Sequence, residues 1–122
     1  MIKTASPQDT FDAIFGSGAT MYSWWLNAEF TGIDSAGTIQ TTDWTVKVTA
    51  ENGDRGETTA TVDHKAILKA ARQIIKSAPK FASDALVRES RNLIFDADEL
   101  DFDANSADEI LQVLVLGEIV FG

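Results

Sequence analysis

The chain has 122 residues, of which 44% are apolar and 24% charged, and it contains no cysteine. This composition predicts one folded domain, residues 1–122, and argues against disorder. The lack of cysteine excludes disulfides, thiolate catalysis and cysteine-ligated metal centres. The sequence has no apolar run of the ~20 residues that a membrane span needs and no signal-peptide core near residue 1, so it predicts a soluble, cytoplasmic protein.

Charge is distributed very unevenly along the chain. Residues 92–122 contain eight carboxylates and neither lysine nor arginine. Subtracting these eight from the formal net charge of −9 leaves about −1 for the rest of the chain. The carboxylates of this acidic run are Asp96, Asp98, Glu99, Asp101, Asp103, Asp108, Glu109 and Glu118. Such a run is either a surface for a partner or one half of an internal charge pairing.

The N-terminal quarter predicts two short helices followed by a strand-like segment. Ser6 is a good N-cap, and Pro7 suits the first helical position because its missing amide hydrogen would be unpaired there. The segment Gly16-Ser17-Gly18 ends this first helix. A second short helix is predicted from Ala19 to Leu26, and residues 28–33 are moderately strand-like.

A β-hairpin is the clearest local pattern. Trp44, Val46 and Val48 alternate with polar residues, which predicts a strand with one apolar face. Residues 51–56 are rich in turn formers, and residues 58–62 read as the return strand. Two strands alone are marginally stable, so a third strand is expected. The candidates for it are residues 28–33 and 119–121.

Three helices are predicted in the second half. Asp63 caps a helix over residues 64–77, and Ser83 begins another that runs to about residue 95. The spacing of Ser106 and Glu109 is that of a capping box, and the helix it opens is apolar nearly all round, which predicts the centre of the core. The predicted fold class is therefore α+β, a small antiparallel sheet built on a 42–62 hairpin and packed by four or five helices.

A basic stripe follows one face of the helix after Asp63. It consists of Lys65, Lys69, Arg72 and Lys76, at positions i, i+4, i+7 and i+11. The simplest interpretation is the solvated face of an amphipathic helix. The alternatives are a ridge that binds phosphates and a docking site for an acidic partner. A sequence pI of about 4.4 argues against nucleic acid, because the chain's own charge repels it.

The acidic run begins like a calcium-binding EF-hand loop and then departs from it. Asp101 and Asp103 offer oxygen ligands at alternate positions. However, the sixth position is Ser106 where glycine is required, and the twelfth is Gln112 where a bidentate glutamate is required. We therefore expect no metal and no cofactor. The carboxylates near residue 108 are expected at a helix N-terminus, whose dipole favours negative charge.

Aromatic residues and the single histidine are the remaining candidates. Adjacent residues on a helix point about 100° apart, so Trp24 and Trp25 cannot both lie centrally in one core, and an exposed tryptophan is a frequent interface residue. His64 lies beside Asp63 at a predicted helix start, which favours a capping or surface role. One histidine without cysteine leaves few ways to build a nucleophile–base pair, so the sequence predicts no enzyme.

Three stretches carry a resemblance to a known group of proteins. They are Tyr22-Ser23-Trp24-Trp25, then Asp43-Trp44-Thr45-Val46-Lys47-Val48 with Val62-Asp63-His64-Lys65, and finally the segments from Asp101 to Ala104, Ala107 to Val113 and Gly117 to Gly122. Together they resemble small uncharacterised proteins of actinobacterial phages and related mobile elements. The resemblance implies a phage or mobile-element origin and the cytoplasm of an infected bacterium. It implies no activity and no site residues.

The leading functional prediction is a small acidic accessory protein that binds a host or phage protein with a basic surface. Such a protein would mimic the charge of nucleic acid, in anti-defence or in host takeover. The predicted partner-binding residues are Asp96, Asp98, Glu99, Asp101, Asp103, Trp24 and Trp25. The alternatives are a metal-assisted or calcium-binding module that uses the Asp96–Asp103 carboxylates, and nucleic-acid binding through the basic stripe. A homo-oligomer is compatible with the sequence, and no membrane partner is expected.

Overall fold

The computed structural model describes all 122 residues. In chain order the elements are helix α1 (Pro7–Ile14), strands β1 (Trp25–Thr31), β2 (Thr45–Glu51) and β3 (Glu57–Val62), and helices α2 (His64–Lys76), α3 (Asp84–Phe95) and α4 (Ala104–Leu116). Short 3₁₀ turns lie at Ala19–Met21, Gly53–Arg55 and Ala97–Glu99. The predicted α+β class is confirmed, with a three-stranded antiparallel sheet and four α-helices.

The sheet is built on the predicted hairpin of β2 and β3. Its strand order is β1-β2-β3, so β2 is central. Val46 lies opposite Val62, and Val48 lies opposite Ala60. Because side chains alternate along a strand, Val46, Val48 and Ala50 share one face, and all three are fully buried. β1 supplies the third strand, so the candidate near residue 28 is confirmed and the C-terminal candidate is wrong.

The predicted second helix, Ala19 to Leu26, is wrong. Only the 3₁₀ turn at Ala19–Met21 forms there, and Trp25 already belongs to β1. Bulky aromatic residues fit the half-buried surface of a sheet. The edge of β2 also offers backbone donors and acceptors that residues 25–31 satisfy by pairing. This long-range pairing overrides a weak local helical pattern.

Three helix starts lie where the sequence predicts them. In each, a side-chain oxygen at the N-cap accepts a backbone N–H of the first turn, which satisfies one of the free amides there. The pairs are Ser6 with Asp9 at 3.1 Å, Asp63 with Ala66 at 2.8 Å and Ser83 with Leu86 at 3.1 Å. These caps fix where α1, α2 and α3 begin.

The start of α4 differs from the prediction. Its N-cap is Asp103, whose carboxylate accepts the Ser106 amide at 2.7 Å, while the Ser106 hydroxyl accepts the Asp103 amide at 3.2 Å. The capping box therefore begins three residues before the predicted one. A box at Ser106 does not form, because Ser106 is itself the N3 residue of the Asp103 box and pairs with Asp103 through its amide and hydroxyl. Glu109 instead accepts the amide of Ser83, before α3.

Helix α4 is the centre of the fold, as predicted. It lies against β2 and β3 and contacts each of the other three helices. Ile110 and Leu111 are fully buried, whereas Leu114 is only half-buried. The chain reverses after α4 at Gly117, whose φ of 81° favours glycine. None of the helices is both long enough and apolar enough to cross a membrane.

Candidate functional site

The structure divides the acidic run into exposed and buried carboxylates. Asp108 and Glu109 lie inside the fold, with 2% and 5% of their surface exposed. The other six are exposed: Asp96, Asp98, Glu99, Asp101, Asp103 and Glu118. A buried carboxylate needs hydrogen-bond donors, whereas an exposed one is hydrated. The buried and the exposed carboxylates therefore have different roles. The sequence did not distinguish them, because all eight side chains carry the same charge.

Two carboxylates of α1 lie close to the exposed carboxylates of the acidic run. Asp9, Asp12 and Asp101 line one cavity of about 350 Å³, together with Ala97 and Leu100. We define the acidic face as Asp9, Asp12, Asp96, Asp98, Glu99, Asp101 and Asp103. Asp9 and Asp12 could not be assigned to this site from the sequence, because they lie more than eighty residues away from the run. No local pattern joins them to it.

One ion pair links a cation to this acidic face. Lys3 Nζ lies 2.6 Å from Asp98 Oδ1, and both side chains are mostly exposed. The hydrogen bond with Asp98 and the charge of Asp98 raise the pKa of Lys3, and Asp9 adds to this effect. Asp96, Glu99 and Asp101 accept no hydrogen bond through their side chains. The face therefore retains a large net negative charge.

The backbone that carries these carboxylates is held firmly. The N-terminal segment pairs with the end of α3, with Lys3 N donating to Phe95 O at 3.0 Å and Ala97 N donating to Lys3 O at 2.9 Å. The buried carboxylate of Glu89 accepts the amide of Asp101 at 2.6 Å. All three hydrogen bonds join residues far apart in the chain, so the fold fixes the positions of the exposed charges.

Asp103 belongs to the acidic face and also holds α4. The Ser106 amide and hydroxyl donate to its carboxylate and keep the pKa of Asp103 below its ordinary value, and Arg88 contributes to this shift. Arg88 itself pairs with Glu89, with Nε 3.0 Å from Oε2. Asp103 therefore has a structural role as the N-cap of α4, in addition to its place on the acidic face.

The basic stripe stands apart from the acidic face. Lys65, Lys69, Arg72 and Lys76 are all exposed on α2, while Ile67, Ala71 and Ile74 face the core. The ion pairs of the structure, Lys3–Asp98 and Arg88–Glu89, involve none of these four cations. The solvated-face interpretation accounts for the stripe, and no direct pairing with the acidic run occurs.

Trp24 and Trp25 are held by Asp108. Both indole N–H groups donate to Asp108 Oδ1, at 2.8 and 2.7 Å. Trp25 is buried in the core and Trp24 is half-buried, so one of the pair is partly exposed, as expected. The predicted reason was wrong, however, because the residues lie at the start of a strand and not on a helix. Trp24 is also stacked between Tyr22 and Phe121. Its role at an interface stays a prediction.

Asp108 is the hub of a buried network that holds the C-terminal segment. Its second oxygen accepts Gln112 Nε2 at 2.8 Å. Gln112 Oε1 in turn accepts the amides of Val120 and Phe121, both at 2.8 Å. Burial raises the pKa of Asp108, and the donors from Trp24, Trp25 and Gln112 oppose that shift. The predicted role of this carboxylate at a helix terminus is wrong, since it lies in the second turn of α4.

His64 contacts the first helix. Its Nδ1 lies 2.9 Å from the Thr10 hydroxyl, and that hydroxyl is also 3.0 Å from the Pro7 carbonyl. Burial lowers the pKa of His64. The imidazole at the start of α2 is thereby tied to α1 by a long-range contact, whereas Asp63 supplies the cap of α2.

No metal centre is formed by the side chains of this structure. No group of three or more His, Asp or Glu residues is arranged to hold an ion. Asp101 and Asp103, the proposed start of a calcium loop, are followed directly by α4 from Ala104. The residues expected to close the loop are therefore helical, and the calcium-binding alternative gains no support from the geometry.

Comparisons with protein-family models, curated proteins and solved structures give no match to this chain. The resemblance to phage proteins therefore stays a prediction.

Proposed function

We propose that this protein acts by binding, and that the acidic face docks onto a basic surface of another protein. The observation that carries the proposal is the set of seven carboxylates of the acidic face, of which one forms an ion pair with a cation. Exposed like charges repel one another and cost stability unless something offsets them. A partner with a basic surface would supply that offset, and electrostatic attraction would speed its encounter with the face.

The rigidity of the acidic face supports the same proposal. Its backbone is tied to the N-terminal segment and to the buried Glu89. Charges held in place before binding lose less conformational entropy when the complex forms. A fixed array of carboxylates is also the feature that a mimic of nucleic-acid charge needs. The proposed partner is therefore a DNA-handling or defence protein of a bacterial host, which would be met in its cytoplasm.

Charge-matched variants test the proposal. The acidic-face variant carries Asp96→Asn, Asp98→Asn, Glu99→Gln and Asp101→Asn, and it leaves the Asp103 cap intact. The control variant carries four equivalent changes on the strands and hairpin, at Glu29, Glu51, Asp54 and Glu57, all of which are exposed. Both variants have the same net charge, so they differ only in where charge is lost.

The measurement is quantitative capture of proteins from a bacterial lysate, at low and at high salt. We expect the acidic-face variant to lose the basic proteins that the wild-type chain retains, with the largest difference at low salt where screening is weakest. The control variant should capture them like wild type. Equal losses in the two variants would mean that net charge alone attracts those proteins, and the proposal would fail.

Nucleic-acid binding through the basic stripe is a second candidate. It is favoured by one observation, that four exposed cations on one helix have no ion-pair partner. A binding assay with duplex DNA over a range of salt concentrations tests it, because each phosphate contact adds to the salt dependence. Binding that Lys69→Gln with Arg72→Gln abolishes would favour the stripe over the acidic face.

A further inference from the structure

A second cavity lies between the start of α3, the first half of α4 and the C-terminal segment. Its volume is about 420 Å³, within the range of small-molecule sites. Phe81, Val120 and Phe121 provide apolar walls, and Ser83, Asn105 and Glu109 provide polar groups. The cavity therefore combines an apolar lining with a single carboxylate, and it shares no residue with the acidic face.

Glu109 is the unusual group in this cavity. It is 5% exposed, and its two oxygens accept one hydrogen bond each, Oε1 from Ser83 N at 2.7 Å and Oε2 from Asn105 Nδ2 at 2.8 Å. Both donors are neutral, and no cation pairs with this carboxylate. A carboxylate has about four acceptor positions, so two remain. A buried charge that lacks a countercharge is unfavourable, and a cation entering the cavity would relieve this.

The rim of the cavity is suited to a planar cation. Phe81 is 73% exposed and has a φ of 70°, a conformation that is rare for residues other than glycine. Its ring already lies 5.1 Å from Lys80 Nζ, so the aromatic face accepts positive charge. Residues held in sparsely populated backbone conformations cluster at functional sites.

We propose that this cavity receives an arginine side chain from the protein that docks on the acidic face. A guanidinium offers two parallel N–H groups to the remaining acceptor positions of Glu109, and its plane stacks on an aromatic ring. Asn105 lies two residues after Asp103, so one partner can contact both places. The inference rests on the proposed function, because it names the anchor of that same partner.

An NMR titration of the ¹⁵N-labelled full chain tests the cavity without the partner. The probe is N-acetyl-arginine methylamide, and its neutral isostere N-acetyl-citrulline methylamide is the control. We expect the arginine probe to shift the amide signals of Ser83, Glu109, Val120 and Phe121, and the citrulline probe to leave them in place. Equal shifts with both probes, or none with arginine, would overturn the proposal. The lysine analogue should bind more weakly, and equal binding would overturn the assignment to arginine.

Two variants and one control locate the binding. Glu109→Gln keeps an oxygen for Ser83 but removes the charge, and it should weaken the arginine probe by roughly tenfold or more. Phe81→Ala, at an exposed site, should weaken it without affecting the fold. Glu118→Gln removes an exposed carboxylate of the same segment and should change nothing. Unaltered binding by both Glu109→Gln and Phe81→Ala would refute the site.

The acidic-face variant separates this inference from the proposed function. It should still bind the arginine probe, because the cavity contains none of its altered residues. If the probe binds but the acidic-face variant captures proteins like wild type, the proposed function fails and the cavity stands as an arginine site. If capture depends on the acidic face while the probe does not bind, the cavity proposal alone fails.

Discussion

Replacing Asp108 with alanine tests the buried network that joins β1, α4 and the C-terminal segment. The change removes the acceptor of three hydrogen bonds, from Trp24, Trp25 and Gln112. Gln112 cannot turn to compensate, because its oxygen accepts the amides of Val120 and Phe121. The Asp108→Ala variant therefore leaves the indole N–H groups and one of the two Gln112 Nε2 hydrogens without an acceptor, while the other Nε2 hydrogen stays bonded to Phe121 O at 3.0 Å.

The magnitude follows from which donors are buried. Trp24 is half-buried, whereas Trp25 and Gln112 are buried, so the cost is counted for the two buried donors. A buried donor without a partner costs about 1–3 kcal/mol. Two of them cost about 4 kcal/mol, and removal of a desolvated charge returns part of that. We expect a net loss of about 3 kcal/mol, or a drop in Tm of roughly 10 °C for a domain of this size.

Thermal and urea unfolding, followed by tryptophan fluorescence and circular dichroism, measure this loss. Asp108→Asn should fall between wild type and Asp108→Ala, because its oxygen can still serve both indoles while its amide would face the Gln112 amide. Glu118→Ala, an exposed carboxylate of the same run, should stay within about 0.5 kcal/mol of wild type. An Asp108→Ala chain as stable as Glu118→Ala would refute the role given to this network.

Three further predictions concern α4 and pH. Asp103→Ala should cost on the order of 1 kcal/mol in unfolding free energy because it removes the cap, and Ser106→Ala should cost a similar amount because it breaks the same box. Leu111→Asp should cost several kcal/mol of unfolding free energy or abolish folding, since Leu111 is fully buried. This loss should be larger than that caused by Leu114→Asp, because Leu114 is only half-buried. Burial raises the folded-state pKa of Asp108 above its ordinary 3.8, so the folded chain binds this proton more tightly. The stability that protonated Asp108 contributes is fully present below the ordinary pKa of 3.8 and is lost as the pH rises through the folded-state pKa. Urea unfolding at a series of pH values should therefore show the advantage of wild type over Asp108→Asn shrinking as pH rises, and a growing advantage would contradict the burial argument.

The sequence correctly predicted the elements that depend on interactions between neighbouring residues. The caps at Ser6, Asp63 and Ser83 and the hairpin of β2 and β3 depend on residues close together in the chain. The predictions failed where distant partners compete. Two overlapping boxes were available at the start of α4. The box that begins at Asp103 forms, and Glu109 binds the distant amide of Ser83 instead.

The candidate site was predictable only in part. The exposure of Asp96, Asp98, Glu99 and Asp101 agrees with a surface run of charge. The contribution of α1 was not predictable, because only the folded chain brings Asp9 and Asp12 beside Asp101. One available signal was missed, namely that Asp108 lies in a helix that is almost entirely apolar from Ile110 onward. A carboxylate in such a helix is expected to be buried and satisfied by specific donors.

The central claim is that the charge of the acidic face serves a partner and not the fold. The most direct test is the melting temperature of the acidic-face variant at low salt, compared with the charge-matched control. Asp96, Glu99 and Asp101 hold no side-chain partner, and the Lys3–Asp98 pair is exposed and contributes little. We therefore predict a melting temperature equal to or above that of wild type, since neutralisation relieves repulsion. A clear decrease, absent from the control variant, would show that these carboxylates stabilise the fold and would contradict the account.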